Sequence, residues 1–155
     1  MIQRIQTLYL LIAFIAALLL FFFPFAKYFT GPGTHYEFYL TGMKYFSMNE
    51  ITTVMIPVLM LSLHIIITGF TGAVIFLYKN RVRQMRFVAV TFLLNIILVA
   101  LIFYFSDKYG SVYNTTPNYK NIGTLLPVLM LLMLLLAQKA IKSDEMKMRK
   151  SNRIR

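Results

Sequence analysis

Residues 51–78, ITTVMIPVLMLSLHIIITGFTGAVIFLY, run for 28 positions without a single Asp, Glu, Lys or Arg. A helix needs about 20 apolar residues to cross the hydrocarbon core of a bilayer, so a stretch of this kind reads as a membrane span. As one helix at 1.5 Å per residue it would be about 42 Å long, against a core of about 30 Å. It must therefore tilt, kink or project, and Pro57 near its N-terminal end is the residue best placed to break it.

Three further charge-free stretches flank it: 5–26, 87–106 and 121–138. Together they set the expected fold, an all-α integral membrane protein with four transmembrane helices arranged as two antiparallel hairpins. The whole chain, 1–155, reads as one four-span domain with a basic tail at 139–155. The composition agrees, with 59% hydrophobic and only 14% charged residues, where soluble domains carry about 25% charged. With no cysteine in the chain, disulfide scaffolds and thiol-based metal or redox sites are excluded. The first stretch is longer than a signal-peptide core and ends in Phe21, Phe22, Phe23, Pro24 and Phe25 without a small-x-small cleavage site, so it reads as an uncleaved anchor.

The net charge of +11 could point to nucleic acid, but the charges are segregated. Twelve of the sixteen basic residues fall in the N-terminus (Arg4), in the loop holding Lys79, Arg81, Arg83 and Arg86, and in the tail. The tail contributes Lys139, Lys142, Lys147, Arg149, Lys150, Arg153 and Arg155. Short basic loops stay cytoplasmic, which places both termini inside. Seventeen of the 24 aromatic residues lie in 21–46 or 103–119, at or within the two outer loops, as expected of rings that prefer the headgroup level. The basic segments 79–86 and 142–155 are candidate contacts for anionic headgroups or for a cytoplasmic partner. RNA ranks last, since no nucleic-acid motif or interleaved aromatic residue accompanies the charge.

Within the first outer loop, Tyr36, Phe38 and Leu40 alternate with His35, Glu37 and Tyr39. Thr41 and Gly42 then precede a second β-prone run, so a short β-hairpin is expected there. Residues 107–120 read as irregular loop. The pentapeptide Pro57 to Leu61 recurs as Pro127 to Leu131, but leucine-rich spans match easily and the other two spans show no counterpart.

No span contains an acid or a base other than His64, so the usual signature of proton relays, ion pathways and voltage sensors is missing. His64, Thr68, Gly69 and Gly72 form a polar and small stripe, and Asn95 is the other buried polar group. Depth matching across the hairpin pairs Asn95 with Thr68, a hydrogen bond worth about 1 kcal/mol. One histidine at membrane depth makes neither a bis-histidine haem site nor a zinc site, and no cofactor is expected.

Three segments carry a family resemblance: MIQRIQTLYLL at the start, KNRVRQMR from Lys79, and KAIKSDEMKMRKSNRIR from Lys139. They resemble the bacterial four-span proteins grouped as domain-of-unknown-function family 4293, over nearly the whole chain. Asn152 departs from the pattern, standing where that family's tail carries an acid. The resemblance implies a bacterial inner-membrane location and four spans, and supplies no activity. Two functions follow as expectations. The first is a non-catalytic accessory or assembly subunit of a larger membrane complex, contacting another integral membrane protein through its helices and basic cytoplasmic segments. The alternative is a small oligomeric transporter or lipid-interacting protein using a polar seam around His64. An enzyme ranks below both, since no cluster of nucleophile, base and acid is evident.

Overall fold

The structure, a computed structural model, describes residues 3–31, 33–47, 50–55 and 57–152. Four helices, α1 (Gln3–Leu19), α2 (Val58–Phe76), α3 (Arg81–Val112) and α4 (Ile122–Asn152), are joined by a sheet of four strands. The strands β1 (Ala26–Gly31), β2 (Thr34–Tyr39), β3 (Gly42–Phe46) and β4 (Ile51–Met55) all lie between α1 and α2. They form an antiparallel meander in chain order. The all-α expectation with one short hairpin is thus corrected: a four-stranded sheet is a substantial second element.

The correction falls on the stretch 51–78. Its first residues, Ile51, Thr52, Thr53 and Val54, are β-branched and pair with β3, Phe46 facing Ile51 and Lys44 facing Thr53. Such side chains suit a pleated surface better than a helix. The helix starts only at Val58, after Pro57, which cannot donate a ladder hydrogen bond. That resolves the excess length, because 19 helical residues span about 29 Å.

The first stretch divides in the same way. α1 stops at Leu19, tightens through Phe21 N–H to Leu18 O and Phe22 N–H to Leu19 O, and gives way at Pro24 to β1. α2, α3 and α4 are long and apolar enough to cross a membrane, whereas the apolar part of α1, Ile5–Leu19, is shorter. Among the described residues three helices thus have the length of a full span, and α1 runs alongside α4 as a shorter apolar helix. α3 also outruns its expected end, continuing past Ser106 to Val112. α4 carries the apolar run into the basic tail as one helix, as its sequence predicts. Pro57 precedes α2 while Pro127 lies inside α4, so the repeated pentapeptide does not occupy equivalent places.

Each helix packs on the next in chain order, and α4 closes back onto α1. The expected hairpin is present as β2 and β3, with Tyr39 opposite Gly42. One sheet face packs on the bundle: Tyr28, Phe38, Leu40 and Met43 join Leu20, Met60, Leu98 and Met130 in one buried cluster. A second cluster, including Leu10, Val74, Val88, Leu134 and Ile141, contains no sheet residue. The edge of β1 is covered, since Lys27 and Asn118 exchange backbone hydrogen bonds of 3.1 and 2.9 Å.

Candidate functional site

The polar groups of the bundle interior are the first place to look for chemistry. His64 is fully buried, and its Nε2–H donates to Ala17 O of α1 at 2.9 Å. That bond fixes the neutral tautomer, because a carbonyl can only accept. The Phe21 ring meets the imidazole edge-on at 4.9 Å. Thr68 donates to His64 O at 2.9 Å, the usual i−4 bond of a helical threonine. Gly72 also faces α1, where a Cβ would stand 3.2 Å from the Phe14 ring, while Gly69 has nothing within 4 Å.

Asn95 turns the other way. Its Nδ2 donates to Pro127 O of α4 at 3.2 Å, so the expected Asn95–Thr68 bond does not form. The hairpin turns at residues 77–80, earlier than the depth matching requires, and Phe70 meets Phe87 across it at 5.9 Å. Asn95 therefore lies nearer the level of His64 than of Thr68, and the rotation of each helix about its axis turns it to α4. The stripe therefore divides between two interfaces, α2 with α1 and α3 with α4. His64 Nδ1 and Asn95 Oδ1 are buried with no hydrogen bond among the described residues. No group of three or more His, Cys, Asp or Glu able to hold a metal occurs among those residues.

On the sheet face away from the helices, buried Glu37 is the centre of an ionic group whose second partner, Lys27, sequence reasoning did not join to it. Its side chain is 8% exposed, with Lys27 Nζ at 2.6 Å and His35 Nε2 at 3.6 Å. Tyr39 OH donates to it at 2.5 Å, and Lys44 Nζ sits 4.6 Å above the Tyr39 ring. The signal was available in the alternation, which puts His35, Glu37 and Tyr39 on one face. Lys27 comes from the adjacent strand, directly opposite Glu37.

Burial alone would raise the Glu37 carboxyl; the bonds from Lys27 and Tyr39, with His35 nearby, outweigh it and hold the group below the ordinary carboxylate range. A lowered folded-state value gives stability that is present above the unfolded carboxylate pKa and lost as pH falls through the folded value. Thermal melting in detergent across acid pH should accordingly show a loss that Glu37→Gln flattens. Parallel pH profiles for the two proteins would refute this role.

The sheet is tied to the helices by Tyr28 OH, which donates to Ser106 O at 2.9 Å. Burial pushes that phenol up to about 12, so it remains a donor throughout the neutral range.

At the opposite end lie the basic residues. Gln6 Nε2 donates to Asp144 Oδ2 and, at 3.3 Å, to Ala140 O. Asp144 is only 4% exposed, turned onto α1, whereas Lys142 and Lys147 on the same helix are exposed. Arg83 and Arg86 are exposed and Arg81 half-buried. Gln84, itself buried, closes the turn between α2 and α3 by donating to Val74 O at 3.2 Å. Lys79, Arg149 and Lys150 are described in backbone only, and Arg153 and Arg155 lie outside the described residues.

These features define a class: a helical bundle of membrane-spanning length, capped at one end by a sheet and cationic at the other. The family model described as Domain of unknown function (DUF4293) matches residues 2–154, and the chain belongs to that family. No curated protein matches it.

Proposed function

We propose that this protein is a non-catalytic accessory or assembly subunit of a larger bacterial inner-membrane complex, both termini cytoplasmic, which engages an integral membrane partner through its helices and basic cytoplasmic face. The observation that carries this reading is the inward turn of Asp144. With that acid bonded to Gln6 of α1, α4 presents Lys142 and Lys147 to the outside on a helix continuous with the bundle. A cationic surface held at a fixed position suits docking to an acidic partner better than an unstructured tail would, because less ordering entropy is lost on binding.

The transporter or lipid-seam alternative relies on His64, Thr68 and Asn95 lining one path. Their division between two interfaces removes its main support. Affinity purification of the full chain from native membranes in mild detergent should recover a stoichiometric membrane-protein partner, and deletion of residues 142–155 should lose it. A monodisperse chain with no companion would overturn the proposal.

A further inference from the structure

Where α3 leaves its apolar stretch, two adjacent charges take opposite roles. Asp107 Oδ1 accepts a hydrogen bond from Tyr119 OH at 3.0 Å and lines a polar cleft with Ser111, Asn114 and Thr116. Lys108 lines a separate cavity of about 290 Å³ with Phe105, Tyr109, Val112 and Tyr113. Phe105 stacks with Tyr109 at 6.1 Å, and Tyr113, the C-cap of α3, is held by stacking on Tyr36 of the sheet at 4.3 Å, so one face of α3 supplies the lining.

The chemistry of this lining is one-sided. It holds a cation with no ion-pair partner among the described residues, two tyrosines whose hydroxyls make no hydrogen bond there, and no carboxylate. The remainder is apolar, with Val112 65% exposed. Donors beside apolar surface complement an anionic amphiphile rather than a fully hydrated ion. Depth selects the kind. Lys108 stands two residues beyond the charge-free stretch 87–106, beside the exposed rings of Phe103 and Tyr104, where a helix crossing a bilayer reaches the headgroups.

We propose that this cavity binds the phosphodiester headgroup of one phospholipid from the leaflet on the sheet side, with the Lys108 ammonium on the phosphate and the acyl chains running along α3 past Phe105. The proposal rests on α3 spanning a membrane and is independent of any protein partner. The competing role for Lys108, offsetting the negative end of the helix dipole, would affect stability without affecting lipid retention.

Native mass spectrometry of the full chain, delipidated and titrated with phosphatidylglycerol, tests it. One bound lipid should depend on Lys108, with Lys108→Gln weakening it about tenfold, the loss of a single charge-assisted contact. Lys120→Gln removes the same charge on the same side outside the cavity and should leave that lipid in place. Val112→Trp, which obstructs the cavity at an exposed position and keeps the lysine, should weaken it as Lys108→Gln does. Diacylglycerol, lacking phosphate, should not bind, and equimolar inorganic phosphate should not compete. Wild-type binding by either cavity variant, equal losses in Lys108→Gln and Lys120→Gln, binding of diacylglycerol, or displacement by inorganic phosphate would each overturn the proposal.

Discussion

Gly123→Ala is expected to leave no stably folded protein in detergent. A Cβ at this position would collide with Pro24 O and lie 2.7 Å from Pro24 C and 2.9 Å from Phe23 O, all backbone atoms. Relief would require α4 or the segment between α1 and β1 to move, and both are held. Thr124, the next residue of α4, donates to Phe25 O at 2.5 Å. Phe25 N–H in turn donates to Phe38 O at 2.7 Å, extending the sheet, and the ring of Pro24 restricts the backbone at the contact. An insertion against two fixed backbones belongs to the most damaging class of substitution, above about 4 kcal/mol. Gly69→Ala is the internal control, since nothing lies within 4 Å of its added Cβ and alanine is favoured over glycine in a helix by about 1 kcal/mol. Yield of monodisperse protein and melting temperature should separate the two variants sharply. Equal behaviour would mean that α4 is not seated on Pro24 as described.

The contrast between these glycines shows what one sequence can and cannot convey. Gly69 stood out as part of the polar and small stripe of α2, yet it faces open space. Gly123 follows Ile122 at an ordinary helix start, and only the tertiary approach of Pro24 makes it irreplaceable. The helices were legible from the absence of charge, which tests compatibility with hydrocarbon and says nothing about strand pairing. So Ile51–Met55 passed as the start of a span, although its β-branched run was a strand signal in plain view. Ala26–Gly31 begins at the last residue of the first stretch and otherwise lies in the outer loop, where only the later hairpin was expected. The β2–β3 hairpin was readable because its alternation has a period of two and a turn residue between the runs. That His64 and Asn95 are buried was readable too, but their partners Ala17 and Pro127 depend on where the hairpin turns and on helix rotation, which residue counting does not fix. The Glu37 group needed the register of β1 against β2, which places Lys27 beside it.

Phe38→Ala should release the sheet from the bundle while the helices stay assembled. Phe38 is fully buried, with its ring edge-on to Phe25 at 5.7 Å and to Tyr109 of α3 at 5.2 Å. Truncating a buried phenylalanine removes about 3–5 kcal/mol, and here that loss falls on the contact between two tiers. The sheet's remaining ties include the Tyr28–Ser106 bond, the Tyr36–Tyr113 stack and the buried side chains of Leu40 and Met43, none of which fills the place of the lost ring. The helices have separate support in the cluster of Leu10, Val74, Val88, Leu134 and Ile141, to which no strand contributes. Opening should therefore be sub-global, confined to the unit that has lost its anchor. In hydrogen exchange of the detergent-solubilised protein, amides of β1, β2 and β3 should exchange more than about a hundredfold faster, since each 1.4 kcal/mol is a factor of ten. Amides of α4 around Leu134 to Ile141 should keep their protection. Acceleration spread evenly over sheet and helices would show that the two tiers fold as one unit. Unchanged exchange in β2 would show that the ring contacts of Phe38 do not hold the sheet.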